Sequence, residues 1–552
     1  MIKRIIKKFL DIHYLAPPSF FKFLLRYFFY ETKPNISSFP LTPKKKSYFE
    51  QGMKFKGQIY YSKIYSDSRN FFNIISKEDY LKIPAEILPG SYHKNLYHAS
   101  YDEPCLIAFC PNKENKIEVN LTNQEGKVNS FSIKQNYRFN WFKVNKNSKL
   151  EAKSQNGFIA GKEIFLTQKS KTKRDLVLMI FIDGLADIET LNKKRFKDIM
   201  PNTSHYFSNS YEFRTHFSNA EWTLPSVPCF TSGLYTQNHG LFHPSKKGSL
   251  SEYFLTLSEI FNENGYLTSS IGGNWRISPP YGYTRGVDRS IYRNSMTHNE
   301  VIDYFIEHNS TFSARSQFCF LTFMDLHHDL NVLPEINTLI DCSQSVFAEE
   351  SNKKSVFLDK DDGRKALYLS RIKNLDRKLQ RLFEYISTSY ASDNITISLV
   401  TDHGQSYLSH DSGVLSEARI HIPWFFKSPE ITTKKKILEP TENVDIFNTI
   451  VHDSILDPKK YLTKNDGVLP KVFGGNGRSF AFSQSIYPNR KYVAKCSNSE
   501  TTYLFESDSN ISEDGKLKIS SKEVKNIKLL SGKHDQSLLD RFFEKIISLN
   551  KV

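Results

Sequence analysis

Apolar runs with few polar interruptions recur at three places along the chain: Leu176 to Ile182 after Asp175, Gln317 to Met324, and Ile395 to Val400. Runs this short, apolar on both alternating sets of positions, predict strands covered on both faces, as in a parallel sheet. Each run delivers a carboxylate at its end: Asp183 before Gly184, Asp325, and Asp402 within Thr401-Asp402-His403-Gly404. Between the runs lie helical patterns. The clearest spans Lys365 to Tyr390, with Leu367, Ile372, Leu375, Leu379, Leu382 and Ile386 at near three-four spacing. Strand–helix alternation over residues 171–470 predicts an α/β domain with a mainly parallel sheet flanked by helices. Open sheets of this kind bind ligands at the carboxyl ends of their strands, where all three Asp residues fall.

The flanks are patterned differently. Residues 96–170 alternate over short segments (Cys105–Cys110, Lys116–Leu121, Lys127–Ile133, Tyr137–Val144, Glu163–Leu166), broken by Asn, Lys and Gly. This reads as an antiparallel β module that either binds glycans or props the next domain. The basic linker Lys171-Thr172-Lys173-Arg174 follows it. Residues 471–552 return to short strands and a last helix, Gln536 to Leu549, a small C-terminal antiparallel subdomain completing the catalytic fold. Residues 1–95 form a basic, aromatic N-terminal segment with little assignable pattern.

Composition narrows the partners. A net charge of +16 favours polyanions or phosphate esters. No zinc-finger spacing, basic zipper or RNA-binding signature accompanies it, so a specific nucleic-acid partner is not expected. Six cysteines (105, 110, 229, 319, 342, 496) are too few for a disulfide scaffold and fit a reducing compartment. The first 31 residues begin with Met1-Ile2-Lys3-Arg4, but Asp11, His13, Pro17, Pro18, Lys22 and Arg26 break the apolar run a spanning helix needs. Phe20 to Tyr30 either lies on an anionic membrane surface or packs on the protein's own body. The expectation is a cytoplasmic protein with an optional peripheral membrane contact through residues 1–31.

The chemistry centres on Trp222 to Gly240. Thr223 opens a Leu-Pro-Ser turn and a short apolar segment, which closes on Ser232-Gly233 and His239-Gly240. A helix starting there would place N–H groups and a positive dipole end beside the Thr223 hydroxyl, a place for a phosphate or sulfate. The stretch by itself is equally an ordinary N-cap Thr before a Pro-started helix.

Taken together, the motifs resemble those of the alkaline phosphatase superfamily, in its sulfatase, nucleotide pyrophosphatase and phosphoethanolamine or lipoteichoic-acid transferase branches. Thr223, Pro225-Ser226, Ser232-Gly233 and His239-Gly240 match the sulfatase signature position by position, while Asp183-Gly184 and Asp402-His403-Gly404 match the family's metal motifs. Ile271-Gly272-Gly273-Asn274-Trp275-Arg276 and Arg285-Gly286-Val287-Asp288 resemble two later sulfatase segments, and the 365–390 helix, with Tyr368 and Asp376, resembles the corresponding helix. The departures are informative. Thr223 stands where sulfatases carry the Cys or Ser that matures to formylglycine, Val227 replaces the signature Arg, and Asn274 and Arg276 replace a Lys and a His. Thr cannot supply the formylglycine aldehyde, so the resemblance implies the Thr-nucleophile branches.

That resemblance implies Thr223 as nucleophile and as fourth ligand, beside Asp183, Asp402 and His403, to one divalent cation. A second cation would take Asp325, one of His327 and His328, and His410. Of the two, His328 is the expected ligand and His327 the expected substrate contact. Mixed Asp and His donors suit Zn²⁺ or Mn²⁺. Trp275 and Arg276 resemble a Trp/Arg pair that contacts phosphoglycerol in the transferases, which makes them and Asn274 substrate-binding candidates. His239 is expected to fix its loop, and His421 to be structural. The implied activity is transfer of a substituted phosphate (phosphoethanolamine, phosphoglycerol or phosphoramidate) from a phosphate-ester donor to a glycan of a surface polysaccharide or lipopolysaccharide precursor. The alternatives are hydrolysis of a phosphodiester or phosphomonoester at the same centre and, less favoured, a degenerate binding protein.

Overall fold

The computed structural model describes residues 53–64, 84–111, 116–134, 138–168, 171–189, 196–243, 249–293, 296–327, 358–390, 394–411 and 413–550. The expected parallel sheet is present. Its strands β1 (Leu176–Ile182), β2 (Leu267–Gly272), β3 (Arg289–Tyr292), β4 (Gln317–Phe323) and β5 (Ile395–Val400) pair in parallel in the order β3-β2-β4-β1-β5. β6 (Trp424–Lys427) adds antiparallel to β5. Every residue of β1, β4 and β5 is buried.

Period-two alternation explains why the three runs read as largely apolar on both sets of positions. Leu176, Leu178, Ile180 and Ile182 of β1 enter one core, and Val177, Met179 and Phe181 enter the other. The first core is closed by α2 (His298–Thr311) and α3 (Asp362–Ser389); the second by α1 (Thr223–Ser232) and α4 (Asn443–Ser454). Apolar surface on both faces of one sheet is what drives this three-layer arrangement.

The N-terminal β region divides. Ala85–His93, Phe158–Gly161, Cys105–Pro111 and Ile164–Phe165 continue the central sheet beyond β3, with Ala85–His93 antiparallel to it. Leu96–Tyr101, Ser148–Lys153, Ile117–Thr122 and Val128–Ile133 make a separate four-stranded antiparallel sheet. The expected strands at 105–110, 116–121 and 127–133 are found within a residue or two. Ala85–His93 has no clean alternation, because its first five residues are all buried. The C-terminal residues form a four-stranded antiparallel sheet and the helix Gln536–Leu549, packed through Phe482, Tyr503 and Phe542 onto Cys229 of α1 and Val444 of α4. Cys105, Cys110, Cys229, Cys319 and Cys496 are all buried free thiols. Among the described residues no helix is long and apolar enough to cross a membrane. The membrane contact expected of residues 1–31 lies outside the described residues, as do Cys342 and His328.

Candidate active site

Three elements end at one point. β1 and β4 remain paired to their ends, where the Asp183 N–H donates to the Phe323 carbonyl at 2.9 Å. The chain then turns through Gly184 at φ +79°, where a Cβ would meet the Gln405 side chain and the Leu326 carbonyl. β5 ends beside it: Asp402 Oδ1 accepts from the Gly184 N–H at 3.1 Å and from the His403 N–H at 2.8 Å. Gly404 follows because a Cβ there would strike the Ala418 carbonyl.

Thr223 is brought in by α1. Trp222, at φ −157° and ψ 169°, holds the N-cap with no side-chain cap, and Pro225 contributes no N–H to the first turn. Ser226 fixes the helix against β5 by donating to the Asp402 carbonyl at 2.7 Å, and Asn443 of α4 donates to Ser226 Oγ at 3.0 Å. His239 donates from Nε2 to the Pro225 carbonyl at 3.1 Å and accepts from the Leu241 N–H, so it ties the loop to α1.

Asp183, Asp402 and His403 present ligand atoms that all lie within 4.8 Å of one another. Thr223 Oγ1 donates to Asp183 Oδ2 at 3.3 Å and lies 3.4 Å from His403 Nε2. His403 donates Nδ1–H to the Gly404 carbonyl at 2.7 Å, which leaves Nε2 as a lone pair facing the cluster. The centre is closely buried, with Asp183 and Asp402 at 0%, Thr223 at 1% and His403 at 5% exposure. Burial, and secondly the Asp183 charge, raise the Asp402 carboxyl well above its ordinary range.

Two buried carboxylates this close repel unless a cation lies between them. Asp402 Oδ2 is buried without a described hydrogen-bond donor, 3.3 Å from His403 Nε2. Hard oxygens and one imidazole, gathered within 4.8 Å of one another, fit a divalent cation.

The remaining candidates divide. Asn274, fully buried, donates to Asp183 Oδ2 at 2.7 Å. Arg276 donates to His327 Nε2 at 3.1 Å, and its guanidinium stands 5.5 Å from the Trp222 ring centre. Trp275 opens the 3-10 turn Trp275–Ile277. Asp325 is buried at the end of β4 and bonds through Oδ1 to His298 Nδ1, at the start of α2. His410 is exposed and does not belong to the Asp183–Asp402–His403 group. His421 donates to the Arg214 carbonyl at 2.8 Å.

Two residues near the centre escape sequence reasoning. His298 reads as the first residue of an ordinary capped helix. Arg419 stands in the segment before β6, with no local signal beyond its charge. It is fully buried, its Nε donates to the Glu221 carbonyl at 2.8 Å, and its Nη2 lies 3.4 Å from His403 Nδ1. Burial lowers its pKa to about 10.

A nucleophile-bearing helix start set against carboxylates at the ends of central parallel strands defines an enzyme of the alkaline phosphatase superfamily, whose members depend on divalent metal. More narrowly, the chain belongs to the sulfatase family, whose model matches residues 175–452. Among solved structures it is similar to a sulfatase-type protein from Bacteroides fragilis (14% identity, 70% of this chain and 99% of that one, TM-score 0.50). It is also similar to a 2-O GAG sulfatase (13%, 68% and 91%, TM-score 0.50). A phosphonate monoester hydrolase from Silicibacter pomeroyi aligns with 14% identity over 67% of this chain and 94% of that one, at TM-score 0.48. No curated protein matches the sequence. Likeness at this identity establishes the fold and leaves the substrate open.

Proposed function

We propose that the protein transfers a substituted phosphate group through a covalent intermediate on Thr223, with a glycan hydroxyl as acceptor. The observation that carries this reading is Thr223 itself. An unmodified hydroxyl lies within 3.4 Å of both Asp183 and His403, at the position where a sulfatase needs a residue able to become formylglycine. Cys229 offers no substitute, because its thiol is directed to the Pro225 carbonyl and packs in the C-terminal core, not in the Asp183–Asp402–His403 group.

Asp183, Asp402, His403 and Thr223 would hold the divalent cation, Zn²⁺ or Mn²⁺ by donor type. Bound there, it supplies the positive charge that makes a Thr alkoxide accessible at neutral pH. The protein's own groups do the rest. Asn274 holds Asp183 Oδ2 in place. Thr223 Oγ1 releases its proton to solvent and attacks phosphorus, and the bond from phosphorus to the leaving oxygen breaks, that oxygen departing with the bonding pair and taking a proton from solvent. The first N–H groups of α1 face the anionic phosphoryl oxygens. Arg276 and His327, paired at the half-buried side of the centre, bind the phosphate substituent. An acceptor hydroxyl then attacks the phosphothreonine: the bond from phosphorus to Thr223 Oγ1 breaks, the acceptor's proton ends on Thr223 Oγ1, and the new ester is released. Asp325 remains a candidate ligand for a second cation, whereas exposed His410 stands apart from the cluster and His328 lies outside the described residues.

Family membership supports a second reading, hydrolysis, in which water replaces the glycan in the last step. The test is intact-mass spectrometry after incubation with phospholipid and nucleotide-activated phosphate donors. A phospho-substituent adduct on the wild type, absent from Thr223→Ala, is expected. Labelling that persists in Thr223→Ala sinks Thr223 as the nucleophile, and rapid product release without any glycan favours the hydrolase.

A further inference from the structure

We propose that an aromatic and guanidinium rim beside Thr223, formed by Trp222, His243, Tyr487, Arg276 and Arg490, is a subsite for a sugar ring bearing an anionic group. This rests on the reading of Thr223 as the reacting centre. The centre itself is buried, whereas Trp222 and Arg276 are half-buried and reach toward solvent. Trp222 directly precedes the nucleophile, and Arg276 lies two residues beyond Asn274, which touches Asp183.

The rings extend outward from there. The Trp222 ring centre lies 6.2 Å from His243 and 6.5 Å from Tyr487, and His243 meets Tyr487 edge-on at 4.7 Å. The Arg276 guanidinium caps the Trp222 ring at 5.5 Å and that of Arg490 caps Tyr487 at 5.7 Å. A pair of aromatic rings flanked by two positive charges suits a ligand with an apolar C–H face and a negative substituent. Trp222 and Tyr487 are inclined by 43°. A flat nucleobase favours parallel rings, whereas a pyranose, thicker and puckered, rests against inclined ones.

The outer half of the rim is firmly held. Tyr487 and Arg490 sit in the turn between strands Ala481–Ser485 and Lys491–Ser497, in which Asn489 takes φ +62°. That turn is pinned by the Arg490 N–H to the Tyr487 carbonyl at 3.1 Å and by a reciprocal pair with Ile511: Asn489 N–H to its carbonyl at 2.9 Å, and its N–H to the Arg490 carbonyl at 2.8 Å. Tyr487 and Arg490 also lie outside residues 175–452, which the family model matches. The reacting centre belongs to the shared domain; this half of the subsite comes from the C-terminal part of this chain.

The test is calorimetric titration of the full chain with three acidic oligosaccharides (oligogalacturonate, a hyaluronan octasaccharide and a phosphomannan oligosaccharide). At least one is expected to bind, and Tyr487→Ala and Arg490→Ala each to weaken it about 10-fold, the scale of a lost stacking or cation–π contact. Tyr487→Phe, which keeps the ring, should bind as the wild type. A neutral methyl-esterified or dephosphorylated form should bind at least about 5-fold more weakly, as expected when one charged contact is lost. Thr223→Ala should keep full affinity, which separates failure of this proposal from failure of the nucleophile assignment. Binding of none of the three, unchanged affinity in both Tyr487→Ala and Arg490→Ala, or equally tight binding of polyphosphate or an oligonucleotide overturns the proposal.

Discussion

His403 gives its Nδ1 proton to the carbonyl of Gly404, 2.7 Å away, and so turns an unprotonated Nε2 toward Thr223 Oγ1 at 3.4 Å. One backbone carbonyl therefore decides which face of the imidazole the centre sees. The same short turn that ends β5 supplies Asp402, whose Oδ1 is committed to backbone N–H groups and whose Oδ2 faces the imidazole. Directional contacts of this kind orient ligand atoms before any cation arrives.

The first prediction concerns Thr223. Thr223→Ala should lower turnover of an activated phosphodiester by at least about 1,000-fold, the scale of losing a covalent nucleophile. Its content of bound divalent metal should fall by less than half, because Asp183, Asp402 and His403 remain. Thr223→Ser should retain measurable turnover. Kinetics of the three proteins with matched metal analysis make the check, and near-normal activity in Thr223→Ala would falsify the assignment.

Metal removal provides the second. Dialysis against a chelator should lower the melting temperature, since Asp402 and Asp183 then face each other uncompensated. Restoring Mn²⁺ or Zn²⁺ at 100 times its dissociation constant should return about 2.7 kcal/mol. In Asp402→Asn that recovery should disappear. Scanning fluorimetry across a metal titration reads both, and an identical metal-dependent shift in Asp402→Asn excludes Asp402 as an essential ligand.

Arg419 is a positioning residue. It binds the Glu221 carbonyl, two residues before Thr223, and lies beside His403. Arg419→Lys keeps the charge but loses the pair of donors, Nε and Nη2, that grip the Glu221 carbonyl. Turnover should drop about 10- to 100-fold, as for loss of other groups that orient a metal ligand. The drop should fall on kcat, with KM for a small substrate nearly unchanged. A change confined to KM contradicts the positioning role.

The fourth prediction is a pH dependence of stability at His216. This ring is fully buried between Thr441 Oγ1 and Asn443 Oδ1, each at 3.0 Å, and burial lowers its pKa from 6.5 to about 3. A depressed histidine pKa means that the neutral ring is compatible with the fold and the charged ring is not. Its stability is therefore fully present above pH 6.5 and is lost as pH falls from 6.5 toward 3. The loss approaches about 1.4 kcal/mol per pH unit. Urea denaturation of wild type and His216→Gln between pH 7 and 4.5 should show this slope only in the wild type. Equal slopes would remove His216 as its source.

Much of the architecture was legible in the linear chain. β1, β4 and β5 read as largely apolar runs because both faces of each are covered, and the helix Gln536–Leu549 shows its amphipathic stripe without tertiary help. β2 and β3 were harder to read. Ser269, Ser270 and Arg289 are polar residues inside the sheet, and Arg289 is buried only because Glu86 and Glu307 pair with it. The Glu86 partner comes from Ala85–His93, about two hundred residues away, which no local pattern links to β3.

The candidate site divides on the same line. The sequence by itself determined which residues could do chemistry at strand ends and a helix start: Thr223, Asp183, Asp402 and His403. Local geometry is short-ranged, so the spacing of a strand end and its turn is written in neighbouring residues. Only the tertiary structure decided that these four meet, that Asn274 rather than solvent satisfies Asp183 Oδ2, and that His298 pairs with Asp325 while His410 stands exposed. Those outcomes depend on contacts such as Asn274 with Asp183, 91 residues apart, and Arg419 with Glu221, 198 apart. At such separations the packing of α1 and the sheet order bring the groups together, and neither is encoded in any one stretch of chain.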